Sequence, residues 1–136
     1  MNALNDGAAL LGRLLLAVIF ILSGVQKLVD FNDTVAFMAA EGLPVPVLAT
    51  IVAVIVECVG GILLIIGYQT RPTGMVMAVW CIATALVAHR DFGNPDQMIH
   101  FLKNAAMAGG FLQLVAFGAG AWGIDGRRGA IASHPA

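Results

Sequence analysis

The sequence predicts an all-α membrane protein: a bundle of four transmembrane helices with a short interfacial helix between the first two. Three observations predict it. The chain is 60% hydrophobic and only 11% charged over 136 residues, against ~25% charged in soluble domains. Its mean hydropathy is +0.90, and a chain of this size cannot enclose that much apolar surface, so lipid covers part of it. The apolar runs are long enough, at ~1.5 Å per residue, to cross ~30 Å of hydrocarbon. Between them lie strong breakers: Gly42-Leu43-Pro44, the Gly67–Pro72 turn and Asn94-Pro95-Asp96. Residues 1–126 therefore read as one domain with spans at 8–28, 47–67, 72–89 and 99–122. Residues 127–136 read as a polar, disordered tail.

The first run, 8–28, lacks basic residues ahead of it and a convincing small-residue cleavage site after it, so it reads as a retained span. Arg13, Ala17, Phe20, Gly24 and Lys27 recur at helical spacing and share one stripe. Ser23 and Gln26 flank it. Two cations on one face either snorkel to the headgroups or bracket an interior polar site. Asp30 or Asn32 then caps a short, partly apolar helix through Ala40, placed in or against the interface, where it could serve as a lid.

The second span is the one around which the chain is organised. It is apolar throughout except for Glu57 near its middle. On insertion scales a carboxylate at a helix centre costs about 2.5–3.5 kcal/mol, so Glu57 should face protein or water, with a partner. Gly60 and Gly61 lie one turn on and permit close approach of a neighbouring backbone. Pro72 suits the first turn of the third span, which carries Trp80, Cys81, Thr84 and, at its end, His89. The fourth span is the most polar, with His100, Lys103, Asn104 and Gln113.

Four spans place both termini on one side, with Arg13, Arg71, Arg127 and Arg128. The other side holds Lys27, Arg90 and Lys103, two of them read as lying within the membrane, so the positive-inside rule puts both termini in the cytoplasm. The net charge of -1 gives no basic field for nucleic acid. Cys58 and Cys81 lie in apolar runs without a CxxC pair, and read as small buried side chains. His89 and His100 with Asp91 and Asp96 match no zinc spacing, so no metal site is expected.

In an antiparallel bundle Lys27, His89, His100 and Lys103 all lie toward the outer end. Glu57 lies about 15 Å deep by helical rise. Lys103 and Arg13 are both candidate counter-cations for it, and the sequence leaves the choice open. Asn104 and Gln113 are candidates to complete hydrogen bonding inside the bundle. One reading of this set is a structural ion pair that fixes helix register. The other is a cavity that binds an amphipathic carbonyl compound or relays protons. The set holds more polar groups than one salt bridge needs, which favours the second.

Four pieces in order, GRLLLAVIFILSGVQKL, EGLPVP, ECVGGILLIIGYQTRPTG and KNAAMAGGFLQLVAFGAGAWGID, resemble the DoxX family of small four-helix bacterial inner-membrane proteins. The resemblance runs from Leu11 to Asp125. On it, Arg13, Ser23, Gly24, Lys27, Glu57, Gly60, Gly61, Gly67, Arg71, Lys103, Asn104, Gly110 and Asp125 fall on characteristic positions. It implies a bacterial inner-membrane location and a relationship to the membrane subunit of thiosulfate:quinone oxidoreductase. No flavin, haem or iron–sulfur pattern is present, so electron transfer would require a bound quinone or a partner protein. The expected function is an inner-membrane component of a redox system that binds a quinone-like or other small amphipathic molecule. Glu57, His89 and His100 are the candidate proton-exchanging groups. Arg13, Lys27, Glu57, Lys103 and Asn104 are the candidate ligand-binding groups. The alternatives are a non-catalytic subunit that docks a partner protein, as a homo-oligomer or with a redox partner, and a small transporter, the latter disfavoured by the lack of an internal repeat.

Overall fold

The computed structural model describes residues 3–132. Among them the chain is entirely helical: α1 (Ala3–Val29), α2 (Phe31–Ala40), α3 (Pro46–Ile66), α4 (Thr70–Ala88), α5 (Pro95–Phe117) and α6 (Ile124–Ala132). Three of these, α1, α3 and α4, are long and apolar enough by length and composition to cross a membrane. At 23 residues α5 is as long as a span, but its His, Lys, Asn and Gln make it less apolar.

α1 packs along α3 and α4 along α5, and the two pairs meet through α3–α4 and α1–α5 contacts. The core is correspondingly small-grained. Ala17 and Phe20 of α1, Leu64 of α3, Met77 and Cys81 of α4, and Phe111 of α5 form one buried cluster. Phe20 and Phe111 meet at its centre, 5.4 Å between ring centroids, within the range of a favourable aromatic pair. Gly60 and Gly61 allow the approach expected of them, Gly60 against Met77 and Gly61 against Ala17 and Ile21. The buried stripe of α1 is Asp6, Arg13, Ala17, Phe20 and Gly24, which includes most of the stripe read from the spacing.

Several boundaries differ from the sequence reading. α5 stops at Phe117 rather than 122, because Gly118 and Gly120 both adopt positive φ, 78° and 75°, and turn the chain. α4 starts at Thr70, two residues ahead of Pro72, for a long-range reason described below. Of the expected disordered tail, 127–136, residues 127–132 form the end of α6, and residues 133–136 lie outside the described residues. α2 has Asp30 as its N-cap residue without a side-chain cap bond, and buries no residue of its own. It packs mainly against α3.

That placement of α2 sets the depth of the site. Gly24 lies level with Glu57 and Cys58, since a Cβ there would meet Cys58 Sγ at 2.6 Å and Glu57 Cβ at 3.1 Å. From Gly24 to the end of α1 is only about 8 Å of helix, whereas from Glu57 to Pro46 is about 16 Å. α1 therefore ends well short of the start of α3, and α2 fills alongside.

Candidate functional site

Glu57 is buried, with its side chain 4% exposed, and both of its oxygens are hydrogen-bonded. Oε2 accepts from Lys27 Nζ at 2.9 Å. Oε1 accepts from the Trp80 indole Nε1 at 3.2 Å. Lys27 Nζ also donates to Ser23 Oγ at 2.5 Å. The counter-cation is thus Lys27, and neither Arg13 nor Lys103, the two candidates weighed from the sequence. The physical reason is the stagger just described. Gly24 lets α1 touch α3 at the level of Glu57, and Lys27, one turn beyond, reaches across.

Lys27 and Glu57 differ in one decisive respect. The Lys27 side chain is 24% exposed while that of Glu57 is 4% exposed. An ammonium has three N–H donors, and two are committed to Ser23 and Glu57. The third has no partner among the described residues. The carboxylate is closed and the lysine side chain is partly open.

From Trp80 a polar seam runs along the α4–α5 interface. The Thr84 hydroxyl lies 2.9 Å from the Trp80 carbonyl oxygen, 3.0 Å from that of Cys81 and 3.4 Å from Asn104 Oδ1. Its single proton can serve only one of these strongly. Asn104 Nδ2 donates to the His100 carbonyl oxygen at 3.0 Å. The His100 ring stacks on His89, with centroids 5.0 Å apart and planes at 24°. His89 Nδ1 is 2.8 Å from Gln97 Oε1. The two histidines thus sit together at the far end of the seam, hydrogen-bonded to α5 and not to Glu57.

The remaining residues read from the sequence fall elsewhere. Lys103 is exposed and joins no ion pair among the described residues. Gln113 is exposed on α5 and does not bond inside the bundle, a correction to the sequence reading. Arg13 is wholly buried at the opposite end of α1 and belongs to a second cluster.

In that cluster Arg13 Nη2 donates to the Trp122 carbonyl oxygen at 3.3 Å, and Nε and Nη1 find no acceptor among the described residues. The guanidinium packs against Gly67 and Gly123, where no side chain would fit. Asp125 Oδ1 and Oδ2 accept from the backbone N–H groups of Gln69 and Thr70 at 3.0 and 2.8 Å. This carboxylate therefore caps the start of α4 from 55 residues away, which explains why α4 begins before Pro72. Partial burial pushes the Asp125 carboxyl up, but the Thr70 and Gln69 N–H donors and nearby Arg128 together hold it below the usual carboxylate range. Asp6 Oδ1 accepts from Ala121 N at 3.1 Å. Both ends of the chain are thereby fastened to the same end of the bundle.

Sequence reasoning did not assign roles to Trp80, Asp6 or Asp125. For Trp80 a signal existed: an indole N–H buried in a span needs an acceptor, and Glu57 is the acidic residue within the apolar spans. For Asp6 and Asp125 the partners are backbone amides, which no side-chain pattern announces. No group of three or more His, Cys, Asp or Glu side chains suited to a metal occurs among the described residues.

Comparison with known proteins places the chain in a family of membrane proteins. Residues 8–90 match the DoxX family model. The chain is 38% identical over 124 residues to the inner membrane protein YphA of Escherichia coli (strain K12), covering 87% of this chain and 88% of that one. It is 33% identical over 125 residues to the inner membrane protein YqjF of the same organism, covering 92% and 95%. A shorter match, 31% over 86 residues and 63% of each chain, is to CatD of Bacillus subtilis (strain 168), provisionally named an oxidoreductase. No solved structure matches the chain.

Proposed function

The chain belongs to the DoxX family of membrane proteins, and on that premise we propose that it is an inner-membrane component of a redox system. In this reading it binds the polar head of a small amphipathic carbonyl compound, of the quinone class, at Lys27, Glu57 and Trp80. The observation that carries the reading is the unequal exposure of the ion pair. A site whose only task was to fix helix register would need neither a spare N–H donor on its cation nor a partly exposed cation side chain. The residues fit a quinone carbonyl: Lys27 supplies the donor, Ser23 and Glu57 orient the ammonium, and Trp80 holds Glu57 in place. Such a molecule would supply the two-electron chemistry. The chain's own residues hold it, and Glu57 is the group that can exchange a proton through Lys27 at the carbonyl oxygen. The polar seam from Trp80 through Thr84 and Asn104 to the His89–His100 pair gives the outer end of the site a hydrogen-bonded lining. The naming of CatD as an oxidoreductase supports a redox context.

The same reading makes α5 the fourth span, because it packs along its length on α4. It makes α2 the interfacial element beside the ligand, and it puts both termini in the cytoplasm with Arg71, Arg127 and Arg128. A second reading, a non-catalytic subunit whose ion pair serves packing, is favoured by one observation: both Glu57 oxygens are already hydrogen-bonded.

The test is native mass spectrometry of detergent-extracted protein with analysis of retained small molecules. A quinone or related carbonyl compound retained by the native chain and lost from Lys27→Met supports the proposal. Retention unchanged in Lys27→Met, or a native chain that retains none even when a short-chain quinone is added, would overturn it in favour of the packing reading.

A further inference from the structure

Strong donors go unused at the end of the bundle where Asp6 and Asp125 fasten the chain. Arg13 is 0% exposed, yet its Nε and Nη1 find no acceptor among the described residues. A buried, charged N–H without an acceptor is costly, and it marks a place where a partner belongs. Nη1 lies in the crevice between Gly67, in the turn before α4, and Gly123, in the segment that closes over it. The same turn is a nest for an anion. Gln69 is left-handed there, with φ 49°, so its N–H and that of Thr70 converge on one point at the start of α4. Asp125 holds that point and lies within electrostatic reach of Arg13. The buried Thr70 hydroxyl lies beside the same carboxylate.

Asp125 satisfies only half of this site. Its oxygens take one backbone N–H each, and neither bonds the guanidinium. The segment that delivers it is lightly held. Between Gly118 and Arg128 only Ala119 and Gly123 are buried. Its fastenings are hydrogen bonds: Asp6 to the Ala121 N–H, Arg13 to the Trp122 carbonyl, and the Asp125 N–H to the Gly67 carbonyl. Gly118 and Gly120, both at positive φ, stand where the segment leaves α5 and can absorb a change of direction. A segment with few apolar contacts opens at less cost than the whole bundle. A surface cleft of ≈ 260 Å³, bordered by Gln69, Arg71 and Asp125, already lies beside the nest.

We propose that this crevice binds an oxyanion of the phosphate class, for which Asp125 is the chain's own stand-in. The ligand displaces Asp125, joins the Gln69 and Thr70 N–H groups to the Arg13 guanidinium, and releases the segment from Gly118 to Gly126. A tetrahedral oxyanion offers acceptors in several directions at once, which a planar carboxylate on a tethered segment does not. The charges agree. Once Asp125 leaves, Arg13, Arg71 and the positive end of α4 face Asp6 alone. The phosphate can be free or part of a lipid headgroup, and the experiment separates the two. The site shares no residue with the Lys27–Glu57 pair and does not rest on the function proposed for that pair.

The experiment titrates the detergent-extracted full chain with inorganic phosphate at constant ionic strength and follows amide hydrogen exchange. Phosphate should speed exchange of the Asp125 N–H, freed from Gly67, while the Gln69 and Thr70 N–H groups stay protected because phosphate has replaced the carboxylate. Chloride should do neither. Asp125→Ala removes the tethered competitor and should bind phosphate about 10-fold more tightly, read as a phosphate-dependent rise in Tm. Adding Arg13→Met to that variant should abolish the rise, and Arg13→Lys in its place should keep part of it. The same measurements with phosphatidylglycerol in the micelles identify the source. A response to inorganic phosphate alone makes the ligand a free anion, and a response to the lipid alone makes it a headgroup. No response of the native chain to either, an undiminished response with Arg13→Met, or loss of protection at all three amides together would each overturn the proposal.

Discussion

The chain places two cations on one stripe of α1, and they are handled in opposite ways. Lys27 is paired at 2.9 Å with Glu57 and keeps 24% of its side chain exposed. Arg13, about 21 Å further along the same helix, is wholly buried. Its Nε and Nη1 lack an acceptor among the described residues, and the oxygens of nearby Asp125 are held by backbone amides. The first arrangement satisfies the acid fully and leaves the basic side chain partly exposed. The second encloses the base completely and uses acids to fasten backbone. Identical placement in the sequence thus yields a reachable site at one end and a structural fastening at the other. What decides between them is the neighbour: a carboxylate at Glu57, and glycines at Gly67 and Gly123.

The sharpest way to break this contrast is to remove one partner from the first cluster. Lys27→Met leaves the Glu57 carboxylate buried with only the Trp80 donor, and should destabilise the chain by about 3–5 kcal/mol. The double variant Lys27→Met with Glu57→Leu should recover most of that loss, because neither charge is then buried alone. Thermal unfolding in detergent measures both, and a double variant no more stable than the single would contradict the pairing. At the second cluster the corresponding variant is Gly67→Ala. Gly67 has φ 65°, and a Cβ there would run into the Arg13 guanidinium and Gly123. The expected cost is about 2–4 kcal/mol from backbone strain and overpacking together. Gly42→Ala is the control, since Gly42 has φ 84° but open space around it, so only the strain of about 1–2 kcal/mol applies.

The same two clusters show how far the sequence could be read. Periodicity placed Arg13, Ala17, Phe20, Gly24 and Lys27 on one face of α1, because helical spacing and burial are local properties. The cost of a mid-span carboxylate correctly required a partner for Glu57. The identity of that partner was not legible. Choosing between Lys27, Lys103 and Arg13 depends on how α1 and α3 are staggered, and that stagger comes from the packing of Gly24 and the position of α2. The second cluster was even less legible. Asp125 caps α4 across 55 residues, and α6 forms where polar composition suggested a loose tail. Bonds from side chains to distant backbone leave no spacing pattern to find.

Trp80 gives a smaller test of the first cluster. Trp80→Phe keeps the aromatic packing and deletes only the N–H to Glu57 Oε1, a 3.2 Å bond to a carboxylate. The expected loss is about 1.5 kcal/mol, at the lower end for a hydrogen bond to a charged group. If Trp80 orients Glu57 for a bound carbonyl compound, the variant should also weaken ligand retention while leaving the Lys27–Glu57 pair intact. Full retention in Trp80→Phe would assign Trp80 to packing alone.

The smallest effect belongs to Asp125 and is read with pH. Its folded pKa lies below the ordinary value of 3.8, so the unfolded segment holds its proton more tightly than the docked one. The contribution of Asp125 is therefore fully present above 3.8, and is lost as pH falls through the lower folded value. Acidification should release the segment from Gln69 and Thr70 before it unfolds the apolar bundle. Amide hydrogen exchange of Gln69 and Thr70, compared in the native chain and in Asp125→Asn, isolates the effect. The native chain should lose protection of those amides on acidification. The variant, which keeps one acceptor oxygen but no titrating carboxylate, should show partial protection that does not change with pH. Protection that titrated equally in both would show that Asp125 is not the group responsible.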